Sequence, residues 1–336
     1  RAANAERKAK REASAAEGQP DPEARAKRTA ERHARIQKGL EALSLWMDDL
    51  VRNGFAGLEA ETTLWSTQAA RLVDAQAPGL ANLVRALEAL PGSHPDWPRK
   101  LLERLGRLAL LTEAWQRLEQ LPPPLVADVR SLVGIPLREE DVLAQGERVE
   151  DTWVVVGQEL ADTERVRTQR THLLGATSGR TALILQFAAG PGARFTESFV
   201  LGTAFAAELV YWPSAAPQRA LVRERKGEVR PHQESLPSLT LDGLCQRFAD
   251  ELSRQPFRER TAAMLGAVVP LLEEQRPGWL QDGTGAAVRL GPGDPWRLLA
   301  LSGGHPLDVF GEWDGEEFRP LSAFAEGRFL PLGGSS

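Results

Sequence analysis

The sequence predicts an α+β protein: an N-terminal helical domain followed by a mainly antiparallel β domain with one or two helices. Three observations support this class. Apolar residues recur every three or four positions up to about residue 133, and the period changes to two from about residue 152. In the second half, Gly-, Pro- and Asp-rich turns punctuate the chain every ten residues or so. The length of 336 residues also exceeds what one hydrophobic core usually organises. The reading divides the chain into a basic lead (residues 1–35), a helical domain (36–145) and a β domain (146–336).

The lead has no apolar stripe, and Gly18 to Pro22 carries two prolines that would interrupt a helix. A charged helix, a turn and a second charged helix are expected there. The chain starts without methionine in a charged, alanine-rich run, which suggests that a longer polypeptide continues upstream. From Ile36 the pattern is clear, because Ile36, Leu40, Leu43, Met47 and Leu50 form one helical face. Further helices are expected over Leu64–Asp74, Gly79–Leu90, Trp97–Leu121 and Leu125–Val133. Along the longest of these, Leu101, Leu105, Leu108, Leu111, Trp115 and Leu118 share one side.

Alternation then predicts an antiparallel meander of Thr152–Val156, Glu164–Thr171 and Arg180–Phe187, with Ser178-Gly179 as a turn. Strands are also expected at Ala206–Trp212 and Arg219–Arg225. Thr240 is placed to cap a helix running to about Arg254. Shorter strands follow at Ala263–Leu272, Gly278–Gln281, Ala287–Leu290, Trp296–Leu301, Leu307–Trp313, Phe318–Ala323 and Arg328–Leu332. Ser302-Gly-Gly304 and Asp314-Gly315 are expected to be hairpin turns. No sequence repeat is visible.

The net charge of −5 gives no global case for nucleic-acid binding. The distribution is uneven, however. Residues 1–40 hold eleven Arg/Lys and six Asp/Glu, a net of +5, so the remainder carries −10. Arg7, Lys8, Lys10 and Arg11 are therefore candidate nucleic-acid contacts, and a solvated charged helix is the other reading of the same residues. A single cysteine, Cys245, excludes an internal disulfide framework and is expected to be a buried thiol, because Leu241, Leu244 and Phe248 surround it at helical spacing. No apolar run is long enough to span a membrane, and a cytoplasmic location is expected.

No catalytic residue and no metal site is assigned from the sequence. His33, His94, His172, His232 and His305 are widely separated, without the paired spacing of a zinc site. Ser302-Gly-Gly-His305 places a hydroxyl near an imidazole but lacks a nucleophile elbow, so a β-turn is expected. The Arg165–His172 segment offers more. Alternation puts Arg165 and Arg167 on one face and Arg170 and His172 on the other, and Arg180 opens the next strand. Arg165, Arg167 and Arg180 form a candidate binding surface for phosphate or carboxylate, or else an exposed salt-bridged face.

Several stretches in order resemble one family. They are Gly39-Leu-Glu-Ala-Leu-Ser-Leu-Trp-Met-Asp-Asp-Leu-Val-Arg-Asn-Gly54 and Ala69-Ala-Arg-Leu-Val-Asp-Ala-Gln-Ala-Pro-Gly-Leu80, then Gly202-Thr-Ala204, Trp212-Pro-Ser-Ala-Ala-Pro-Gln-Arg-Ala-Leu-Val222, Leu298-Leu-Ala-Leu-Ser-Gly-Gly-His-Pro306 and Gly311-Glu-Trp-Asp-Gly315. From about residue 30 onward the chain is similar to bacterial SWIM zinc finger family proteins, in the region after the finger. The resemblance implies that the Cys-x-Cys…Cys-x-His finger and its zinc lie upstream, so no zinc ligand is assigned here. It implies an interaction or scaffold role without enzymatic activity, with protein partners such as an AAA-type MoxR ATPase or a von Willebrand A-domain protein. The alternative is nucleic-acid binding through the basic lead and the upstream finger.

Overall fold

A computed structural model describes residues 22–61, 63–135, 137–162, 166–190, 193–273 and 276–332. The chain forms two compact units. One extends to Leu121 and takes in Val129–Pro136, and the other comprises Pro122–Asp128 with everything from Leu137. No described helix is long and apolar enough to cross a membrane.

The first unit is built on α1 (Pro22–Asn53), α2 (Leu64–Asp74), α3 (Pro78–Ala86), α4 (Trp97–Gln116) and the end of α5 (Pro123–Val133). The apolar stripes read from the sequence are its core: Ile36, Leu40 and Leu43 on α1 and Leu101, Leu105 and Leu111 on α4 are all buried. Helix α1 passes residue 36 without a break. Its more polar first turns are anchored where the Arg32 guanidinium donates to the Gly134 carbonyl at 3.1 Å and His33 stacks on Trp115 at 4.6 Å. At Gly79 the backbone of α3 runs against that of α5, so a Cβ there would lie 2.1 Å from the Leu132 carbonyl oxygen.

In the second unit, α6 (Glu139–Gln145) precedes the sheets. This helix was not expected, because seven residues with one buried apolar side chain, Val142, have too little periodicity to detect. Strands β1 (Arg148–Asp162), β2 (Val166–Gly175), β3 (Thr181–Ala189), β4 (Thr203–Tyr211) and β5 (Ala220–Pro231) follow in the order β3-β2-β1-β4-β5. A parallel bridge between Leu183 and Arg219 brings β3 to the start of β5 and nearly closes a barrel. After α7 (Leu241–Arg254) come β6 (Thr261–Glu273), β7 (Arg276–Gln281), β8 (Ala287–Leu290), α8 (Pro295–Ser302), β9 (Leu307–Trp313), β10 (Glu317–Ala325) and β11 (Arg328–Pro331). Because β9 pairs with both β6 and β10, strands β6 to β10 form a closed ring.

The two barrels share one connectivity. In each, the first strand pairs with the fourth over its early residues and with the second over its later ones. The third strand lies parallel to the fifth. Each first strand changes partner near a bulge, at Val155/Gly157 in β1 and at Leu265/Val268 in β6. Between the third and fourth strands, Phe199 enters the core of the first barrel and Leu298 of α8 enters that of the second. The unit is thus a topological duplication that leaves no trace as a sequence repeat. A layer including Val154, Val156, Met264, Phe310 and Leu321 packs one barrel on the other.

Three local expectations are corrected. Trp296–Leu301 is helix α8, not a strand. The Asp294 carboxylate accepts from the Arg297 N–H, Pro295 occupies the first turn, and Gly303 ends the helix with φ of 55°. Ser302-Gly-Gly304 is consequently a helix terminus, not a hairpin turn. Cys245 is exposed, because the buried stripe of α7 runs through Leu241, Leu244 and Phe248 and leaves the thiol beside it. The Thr240 cap is formed, its hydroxyl accepting from the Gly243 N–H at 3.1 Å.

Candidate functional site

A dense group of ionisable side chains lies where the two barrels meet. Strand alternation turns Thr171 and Leu173 of β2 inward and sends Arg170 and His172 out towards the second barrel. The bulge in β1 similarly sends Glu159 outward, where it meets Arg170 and Arg319. From the second barrel, β9 contributes Glu312, β10 contributes Arg319, and Arg260 stands just before β6.

Glu312 is the hub. Its side chain is 1% exposed and accepts from Arg170 at 2.8 Å, Arg319 at 2.8 Å and Arg260 at 3.3 Å. Arg319 also donates to Glu159 at 2.6 Å. His172 Nε2 lies 3.6 Å from Glu312 and has no hydrogen-bond partner. Burial pushes His172 down to about 4, so its ring is neutral near pH 7. Burial alone would raise the Glu312 carboxyl, but the charges of His172 (once protonated), Arg170 and Arg319 outweigh it and hold the group at about 2.

Glu159, His172 and Glu312 bring their donor atoms within 4.8 Å of one another, close enough to surround a cation. The charge balance argues against one. Three guanidiniums face two carboxylates here, so the group already carries an excess positive charge, and a divalent ion would add to it. The carboxylate oxygens are committed to arginine. The arrangement works as an ionic clamp between barrels, with its arginine rim partly open: the side chains of Arg170 and Arg260 are 38% and 46% exposed.

The residues singled out in the sequence fall elsewhere. Arg165, and Arg7, Lys8, Lys10 and Arg11, lie outside the described residues. Arg167 pairs in register with Ala188 at one end of β2–β3, and its guanidinium stands over Phe195 at 5.3 Å. Arg180 is at the other end, about 25 Å away by strand rise. There it forms a two-point contact with Glu147 at 2.5 and 3.0 Å and covers the Tyr211 ring. The register therefore does not gather Arg167 and Arg180 on one surface. Ser302 is buried, its hydroxyl donating to the His305 carbonyl and accepting from the Gly304 N–H, so it serves the turn and not the imidazole. Glu159, Glu312, Arg260 and Arg319 were not identified from sequence. The one available signal was Glu312 itself, a lone carboxylate between Phe310 and Trp313 in a strand otherwise destined for the core.

Comparison with known proteins gives one match. Residues 31–133 match the SWIM_C family model, the SWIM-associated four-helix bundle domain, which covers about a third of the chain and overlaps most of the helical unit. No curated protein and no solved structure matches the chain. The helical region is therefore similar to a SWIM-associated bundle, and the two barrels lie beyond the match.

Proposed function

We propose that the chain is the non-enzymatic interaction body of a SWIM-type zinc finger protein, one that contacts protein partners in a multi-component assembly. The observation that carries this reading is the match of the helical unit to the SWIM-associated bundle. The electrostatics of the barrels favour proteins over nucleic acid as partners. Arg180 is matched by Glu147, Arg223 by Glu208, Arg225 by Glu197 and Lys226 by Glu150. Along these strands each of the four cations has its own carboxylate, which leaves this face little uncompensated field for a phosphate backbone. The ionic clamp holds the barrels as one rigid support rather than presenting reactive groups. An AAA-type ATPase of the MoxR kind, or a von Willebrand A-domain protein, is the partner class this reading names.

Co-expression with such an ATPase from the same source, followed by size-exclusion chromatography with light scattering, tests the reading. A stoichiometric complex is expected, and separate elution at tens of micromolar would count against it. A second reading, nucleic-acid binding through the basic lead, draws on exposed Lys27 and Arg28 in the first turns of α1. It requires an affinity that falls steeply with salt.

A further inference from the structure

The two outer strands of the first barrel differ in a way that bears on binding. Strand β5 carries Arg223, Glu224, Arg225 and Lys226 in succession, the kind of charged edge that discourages pairing with another chain. Strand β3 reads Thr-Ala-Leu-Ile-Leu-Gln-Phe-Ala-Ala, with no charge and no proline. Beyond the bridge at Leu183, β3 pairs only with β2 among the described residues. Its Leu183 N–H points outward, to the Gln218 carbonyl. By alternation the N–H groups of Leu185 and Phe187 point the same way.

The side chains flanking this edge form a continuous strip. Phe187 is 59% exposed. Leu185 is directly opposite Arg170 in register, which makes Phe187 and Arg170 diagonal neighbours on the outer face, about 7 Å apart. Arg170 and Arg260 bind the same Glu312 carboxylate, so the strip passes from an aromatic ring to two partly exposed guanidiniums. There it reaches the clamp's excess positive charge.

We propose that the β3 edge is a docking site for an extended acidic segment of a partner protein. The segment adds as a further strand, sets apolar side chains on Leu185 and Phe187, and places a carboxylate at Arg170 and Arg260. Main-chain pairing supplies affinity and the strip supplies selectivity. An open backbone edge favours a peptide over a nucleic acid, which has no matching ladder of donors and acceptors. The proposal rests on the protein-partner reading above.

Fluorescence anisotropy with the full chain tests it, using a fluorescein-labelled peptide of alternating glutamate and valine about ten residues long. A lysine–valine peptide and an oligothymidylate serve as comparisons. The acidic peptide is expected to bind at least about tenfold tighter than either. Arg260→Glu and Phe187→Pro should each weaken it about tenfold or more; the second removes an outward N–H and leaves the β2 ladder untouched. Where Phe187→Pro unfolds, Phe187→Ser gives the side-chain reading, with thermal unfolding as the folding control. Equal binding of the two peptides, preference for the oligonucleotide, or wild-type affinity in both variants would overturn the proposal. Failure here alongside a stable ATPase complex discards this edge alone, and failure of both discards the protein-partner reading as well.

Discussion

Replacing Glu312 with glutamine isolates the contribution of the clamp. The substitution keeps the shape and one acceptor oxygen but leaves Arg170, Arg260 and Arg319 facing a single carboxylate, Glu159. Removing one partner from a buried ion pair costs about 3–5 kcal/mol. Here the arginine side chains are 26–46% exposed and water can take up part of their charge, so the low end, about 3 kcal/mol, is expected. The carboxyl is held down at about 2 instead of 4.5, which has the same sign; the part of that depression owed to His172 acts only once its ring is protonated. Because the folded-state value is depressed, this stabilisation is complete above the ordinary carboxylate range and is lost as pH falls from about 4.5 towards about 2. Urea unfolding followed by tryptophan fluorescence at pH 7 should show the full difference, equivalent to about 6–12 °C in melting temperature for a unit of this size. Near pH 2 the variant and the wild type should converge. A loss below about 1 kcal/mol at pH 7, or a difference that persists at pH 2, would refute the reasoning.

Three further outcomes are expected. His172→Phe removes an orphaned buried nitrogen beside Phe310, so stability at pH 7 should hold or rise. Since burial lowers His172 to about 4, the wild type should lose stability as pH falls from about 6.5 to about 4, and pH-dependent melting should show that segment flattened in the variant. Thr240→Ala removes the hydroxyl that caps α7 and should cost about 1 kcal/mol by chemical denaturation. Gly79→Ala forces a Cβ onto the Leu132 carbonyl, which cannot swing aside as a side chain could; a loss of about 2–3 kcal/mol, read by far-ultraviolet circular dichroism, is expected.

What could be read from sequence followed from how local each signal is. Ile36, Leu40 and Leu43 lie within two turns of one another, so periodicity alone exposes their buried face. The Thr240 cap is equally local. Trp296–Leu301 misled because six residues with mixed apolar spacing fit both periods, and the decisive features were the Asp294 cap and Gly303 at its ends. The duplicated barrel topology was invisible, since pairing such as Leu183 with Arg219 is set by tertiary register and not by any repeated motif. The clamp was hidden for the same reason: Glu159 and Glu312 are about 150 positions apart, and only the bulge in β1 and the packing of two barrels bring both onto Arg170. Arg180 looked available because its partner, Glu147, precedes the meander it closes.

The most direct test of the central claim is the stoichiometry of the full chain mixed with the purified AAA-type ATPase, measured by sedimentation velocity with an oligonucleotide present as competitor. A protein–protein complex that forms with defined stoichiometry and excludes the oligonucleotide is the expected result. Migration of the chain with the oligonucleotide, and not with the ATPase, would contradict the account.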